Sequence, residues 1–209
     1  KKEEDLSDFE WNKLQALKAT LDREPSKARE EIFYRYGAPY ELTGVNAGEA
    51  VAYLAPPGGN ATAALAFLSI ASQACAVPLS GNMSKSEAML ALEQCNVTHM
   101  VLFEGVAAPG VRSAFIEHAQ NAQAQLHHAR PGNCSAPGLY TYRSSIKGFR
   151  NLPALSNAPT AICLLLRTSG TTSVPKVVPL RQRDLVFNAA ILADGIGINT
   201  TDVTYSVMP

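Results

Sequence analysis

Apolar positions are unevenly patterned along this chain. The first forty residues are polar apart from one narrow stripe, in which Leu14, Leu17 and Leu21 recur at helical spacing. Ser7-Asp8-Phe9-Glu10 has capping-box spacing ahead of that stripe, so a helix is expected over residues 7–23. Pro25 can open a second helix and Gly37 can close it. The pattern then changes to short apolar runs bounded by turn residues. Residues 51–55, 76–79, 98–103, 161–166 and 203–208 read as strands. Helices are expected after a cap at Asn60, through the apolar stretch 61–76, and from the capping box Ser84-Lys85-Ser86-Glu87 to residue 94. Two more are expected over 111–122 and 184–193. Residues 123–156 are rich in Gly, Pro, Ser and Asn, show little periodicity and read as a long irregular surface segment.

Alternation of strand and helix predicts an α/β fold, a layered, largely parallel sheet flanked by helices. The expected organisation is a helical amino-terminal extension over residues 1–40, followed by a domain over 41–209. Phe9, Trp11, Phe33, Tyr34 and Tyr36 sit in that extension, either as its own core or as a docking face for a protein partner. No internal repeat is visible.

Composition excludes several function classes. With 209 residues and 46% apolar content, the chain can fill a real core. Formal net charge is zero and charges are dispersed, so nothing marks a nucleic-acid partner. No apolar run is long enough to span a bilayer, and no apolar stretch follows the charged first residues as in a signal peptide. Cys75, Cys95, Cys134 and Cys163 are widely spaced, which suits free thiols in a reducing compartment, the cytoplasm or an organellar matrix. Five Asn-x-Ser/Thr sequons, at Asn60, Asn82, Asn96, Asn133 and Asn199, carry little weight without a secretory route. His99, His118, His127 and His128 match no metal-ligand spacing and read as surface or hydrogen-bonded histidines.

Chemistry concentrates in one segment. The buried strand expected over 161–166 runs into Arg167-Thr168-Ser169-Gly170-Thr171-Thr172-Ser173-Val174-Pro175-Lys176. Small residues let a backbone approach a ligand closely, and Gly170 permits angles that other residues avoid. Successive N–H groups and hydroxyls can cradle phosphate oxygens, and Lys176 can supply a point charge to a terminal phosphate. Ligands of open α/β sheets bind beyond the carboxyl ends of strands, where this segment falls. A Walker loop would need glycine at position 175 and Ser or Thr at 177, where the chain has Pro175 and Val177.

The order strand, then T-S-G-T-T-x-x-P-K, resembles the phosphate-binding signature of the adenylate-forming superfamily of acyl-CoA synthetases, luciferases and peptide-synthetase adenylation domains. Thr168, Ser169, Gly170, Thr171, Thr172, Pro175 and Lys176 match that pattern in place. The resemblance extends upstream through Gly48-Glu49-Ala50-Val51-Ala52, Ala76-Val77-Pro78-Leu79 and the following helix and strand, covering residues 43–209. It implies an incomplete adenylation-domain core in which Thr168, Ser169, Gly170, Thr171 and Thr172 wrap the phosphates of ATP, accompanied by Mg2+, and Lys176 reaches the outer ones. Ser173, where the family usually has glycine, together with Val178-Pro179-Leu180, resembles the oxalate–CoA ligase branch. Val177 replaces a second family glycine; were a positive φ required there, it would strain or crowd the loop.

Relatives carry their acyl-pocket turn, adenine-binding motif, ribose-binding acid, hinge and catalytic lysine beyond the position that Pro209 occupies here, so no catalytic residue is assigned within this chain. Two functions are consistent with that. One is the amino-terminal part of an ATP-dependent, oxalate–CoA ligase-like acyl-CoA synthetase that activates a carboxylate as acyl-adenylate. The other is a truncated, catalytically inactive relative serving as a structural subunit of a larger assembly. A simple nucleotide-binding module is a third, more remote reading.

Overall fold

The computed structural model describes residues 45–54, 60–131, 140–144, 158–168, 175–199 and 201–203. All belong to the unit Tyr40–Pro209. Their elements run β1 (Ala50–Leu54), α1 (Asn60–Ala71), β2 (Cys75–Pro78), α2 (Lys85–Gln94), β3 (Val97–Phe103), α3 (Pro109–Asn121), β4 (Gln125–Pro131), β5 (Tyr140–Ser144), β6 (Ile162–Thr168), β7 (Lys176–Arg181) and α4 (Gln182–Gly195).

The strands form one sheet in the order β5-β4-β3-β1-β2-β6-β7. The five inner strands are parallel, and β5 and β7 pair antiparallel at the two edges. The expected α/β fold, a largely parallel sheet flanked by helices, is what forms. β1 lies between β2 and β3, so the chain builds outward from it in both directions, the switch-point arrangement of doubly wound sheets.

Burial follows from this order. Every residue of β1 is buried, and β3 is buried except at Thr98, as expected for strands covered on both faces. Helix α2 contributes Ala88, Ala91 and Leu92 to the core, and α3 contributes Val111, Ala114, Phe115 and His118. Full burial of a side chain such as Phe115 or Leu92 is worth about 1.5–3 kcal/mol. The Ser84 capping box forms as its sequence predicts. The Ser84 hydroxyl accepts from the Glu87 N–H at 3.3 Å, and the Glu87 carboxylate accepts from the Ser84 N–H at 2.8 Å. Close packing of α3 on the start of α2 depends on Gly110, where an added Cβ would sit 2.9 Å from the Met83 carbonyl oxygen. A Lys85–Glu117 ion pair spans the same junction.

The structure departs from the sequence reading in two places. Residues 123–156 are not irregular throughout, because β4 and β5 both fall within them. Their polar residues hid them: β4 reads Gln-Leu-His-His-Ala-Arg-Pro, yet His127 and Ala129 are buried. The stretch 176–181, to which the sequence pattern assigned no element, is the edge strand β7. In the strand expected over 203–208, Val203 is exposed and outside any strand, and 204–209 lie outside the described residues. Also outside them are the two helices expected before residue 38, the aromatic docking candidates there, Cys134 and Asn133.

Candidate functional site

Strand β6 rises out of the core. Cys163 and Leu164 are buried, Leu165 is half-buried, and Leu166 and Thr168 are exposed. The chain returns as β7 in antiparallel register, with Thr168 opposite Lys176 and Arg167 opposite Val177. Of the six expected phosphate-binding residues, Ser169, Gly170, Thr171 and Thr172 lie outside the described residues. The other two, Thr168 and Lys176, form the last register pair at the base of the connection. Directly paired residues of antiparallel strands project to one face, so the Thr168 and Lys176 side chains leave the same face, both exposed. A hydroxyl that donates or accepts, beside a cation with three donors, suits a polyanionic ligand.

Val177 does not strain the backbone. Among the described residues, the non-glycine positions with positive φ are Asn96 and Gln123. Val177 is a half-buried strand residue packed against the core. Arg167, its register partner, is also half-buried, on the face opposite Thr168 and Lys176. An Arg167 Nη1 group donates to the Glu87 carbonyl of α2 at 3.4 Å.

A second polar group, unanticipated as a unit, lies inside the sheet. Register places His99 of β3 beside both β1 and β4. His99 Nε2 is 3.0 Å from a carboxylate oxygen of Glu49, and His99 Nδ1 is 3.1 Å from Nε2 of His127. If Glu49 accepts from a neutral His99, then His127 must donate to His99. The remaining His127 Nδ1 is buried without a partner among the described residues. Burial pushes the His99 pKa down, opposed by the Glu49 charge. Burial, then His99 and His128, push His127 down to about 4. Burial raises Glu49, but hydrogen bonds from Asn46 and the His99 interaction outweigh it and leave its carboxyl below the usual value. Spacings of 50 and 28 residues carry no sequence signal, since only strand register brings these three together. His118 is likewise buried, 2.8 Å from the Val97 carbonyl oxygen, and His128 is exposed.

The thiols are poor nucleophiles. Cys75, Cys95 and Cys163 are free and buried. Burial, with Cys163 and Cys95 nearby, pushes the Cys75 thiol up to about 12, leaving it protonated at neutral pH. Among the described residues, no group of His, Cys, Asp and Glu side chains is arranged to hold a metal ion, and no helix is long and apolar enough to cross a membrane.

Comparison with known proteins fits this geometry. The structure matches apo MatB from Rhodopseudomonas palustris with a TM-score of 0.52 at 18% identity, covering 72% of this chain and 28% of that one. The ATP-bound form of MatB from the same organism matches with a TM-score of 0.53 at 20% identity, over the same shares. A protein named as a long-chain-fatty-acid CoA ligase, also from Rhodopseudomonas palustris, matches with a TM-score of 0.57 at 16% identity, covering 79% of this chain and 40% of that one. At these identities the likeness establishes the fold, and the chain spans well under half the length of each. No curated protein matches the sequence. The family model described as AMP-binding enzyme matches residues 40–209, most of the chain, which therefore belongs to the AMP-binding enzyme family.

Proposed function

We propose that this chain supplies the phosphate-binding part of an ATP-dependent acyl-CoA synthetase. The observation that carries the reading is the pairing of Thr168 with Lys176 at the base of a Ser/Gly/Thr-rich connection, at the carboxyl end of a strand in an AMP-binding fold. In the proposed reaction a substrate carboxylate attacks the α-phosphorus of ATP, and pyrophosphate leaves. Both reacting groups are anionic, so the step needs fixed positive charge and controlled orientation. Thr168 and Lys176 would hold the phosphate chain, with Ser169, Gly170, Thr171 and Thr172 enclosing it and Mg2+ entering with the nucleotide.

Ser173 and Val178-Pro179-Leu180 favour the oxalate–CoA ligase-like branch, and hence a small dicarboxylate as the acid. Within this reading, residues 1–40 form a separate helical extension able to dock a protein partner, and the protein works in the cytoplasm or an organellar matrix. Calorimetric titration with Mg-ATP is the test. The wild-type chain should bind, and Lys176→Ala should weaken binding about tenfold or more, the loss of one charge-assisted contact. Absence of binding by the wild-type chain would sink the reading.

An alternative, an inactive relative acting as a structural subunit, draws on the exposed apolar side chains of α4, including Ile191 and Leu192. It is favoured if the chain binds no nucleotide yet co-purifies stoichiometrically with a larger assembly.

A further inference from the structure

The part of the molecule that carries the phosphate connection leaves the parallel register of the sheet early. Strand β2 meets β6 through one register pair, Ala76 with Leu164. Beyond it β2 offers Val77 and then Pro78, which has no N–H to donate. Among the described residues, the strand register of 165–168 is with β7, and β7 is an edge strand. The β6–β7 hairpin runs beyond its register with the parallel sheet where Thr168 and Lys176 stand.

Besides the core packing of Leu165 and Val177, one described polar side chain ties that end back to the body. Arg167 precedes Thr168, faces away from the Thr168–Lys176 side, and reaches across to the first turn of α2, where it donates to the Glu87 carbonyl. Its Nε is enclosed, without a partner among the described residues. Its charge is felt by the Glu87 carboxylate and by the Cys95 thiol, so the guanidinium lies along α2 and not out ahead of the connection. The turn that receives it is itself fixed by the Ser84–Glu87 capping box. A rigid point in the body thus holds the base of the hairpin on one face, while the opposite face presents Thr168 and Lys176.

We infer that Arg167 is a positioning residue for nucleotide phosphates: by anchoring the β6–β7 hairpin to the capped start of α2, it sets where Thr168 and Lys176 meet the ligand. The inference rests on the nucleotide reading above. It makes Arg167 act through the hairpin, without touching the phosphates.

Amide hydrogen exchange and Mg-ATP calorimetry on the full 209-residue chain test it. In Arg167→Met, amides of residues 165–168 and 176–178 should exchange about tenfold faster and the Mg-ATP Kd should rise about tenfold, as for loss of one charge-assisted hydrogen bond. Amides of β1 and β3 should keep their protection, which a general loss of stability would not allow. Arg167→Lys, which keeps a donor and a charge, should recover part of both effects. Unaltered exchange in the hairpin would overturn the anchor. Weaker binding with unaltered exchange would also overturn it, pointing to direct ligand contact. If Lys176→Ala abolishes binding while Arg167→Met leaves it intact, the nucleotide site stands and the role of Arg167 falls. If the wild-type chain binds no Mg-ATP, both readings fall.

Discussion

A histidine enclosed within a sheet can be protonated only at the expense of desolvating a cation, and His127 is fully buried. Its folded pKa of about 4 lies below the value of 6.5 expected for the unfolded chain. The unfolded state therefore binds more protons between those values. The associated stability is fully present above pH 6.5 and is lost as pH falls toward 4. At pH 5 the loss should be about 2 kcal/mol, at 1.36 kcal/mol per unit of displacement. Glu49, also depressed, loses its contribution as pH falls through its folded value, so it acts in the same direction. Urea midpoints at pH 7 and pH 5 measure the histidine part, since Glu49 loses its own only below its usual 4.5, and His127→Gln should flatten the difference. Val177→Gly tests another single position. If Val177 is a packed strand residue, restoring the family glycine should cost about 1 kcal/mol of stability. Thr168 and Lys176 could be picked out of the sequence because their spacing belongs to a contiguous signature. Glu49, His99 and His127 could not, because their contacts exist only once β1, β3 and β4 are in register.

Elements were legible where the apolar pattern was unbroken. β1, β3 and the first part of β6 are mostly apolar runs, β1 and β3 buried over most of their length, and α2 announces itself through its capping box. β4 and β5 were not, because His, Arg, Tyr and Thr serve there as strand residues and break the apolar alternation. β7 was hidden by its own first residue, since Lys176 belongs both to a ligand signature and to a strand. The tight junction of α2 and α3 yields a prediction at this scale. Gly110→Ala forces a Cβ against the Met83 carbonyl oxygen and the Lys85 nitrogen, both backbone atoms that cannot swing aside. It should cost about 1–3 kcal/mol, as overpacking does. A thermal or urea titration that shows no loss would mean the two helices can part freely.

At the scale of the molecule, burial is lopsided. The core gathers β1 to β4 with α1 to α3, whereas α4 has no fully buried residue. Leu192 is 56% exposed and Ile196 72% exposed, with Ile191, Ile198 and Val203 nearby in sequence. Surface of this kind favours association. Light scattering of the chain alone should rise with concentration, and Leu192→Asp combined with Ile196→Asp should suppress that rise with no loss of thermal stability. The strand order has a temporal consequence as well. Because β1 sits mid-sheet, the four strands β4-β3-β1-β2 come from one uninterrupted stretch ending at Pro131, with every crossover helix inside it. During synthesis that stretch is complete while the hairpin that begins at Ile162 is still untranslated, an interval of a few seconds at ~5–20 residues per second. The nascent chain can condense around β1 in that interval, and the edge that carries Thr168 and Lys176 is added afterwards, onto a β2 whose outer side has stood open to any other strand in reach.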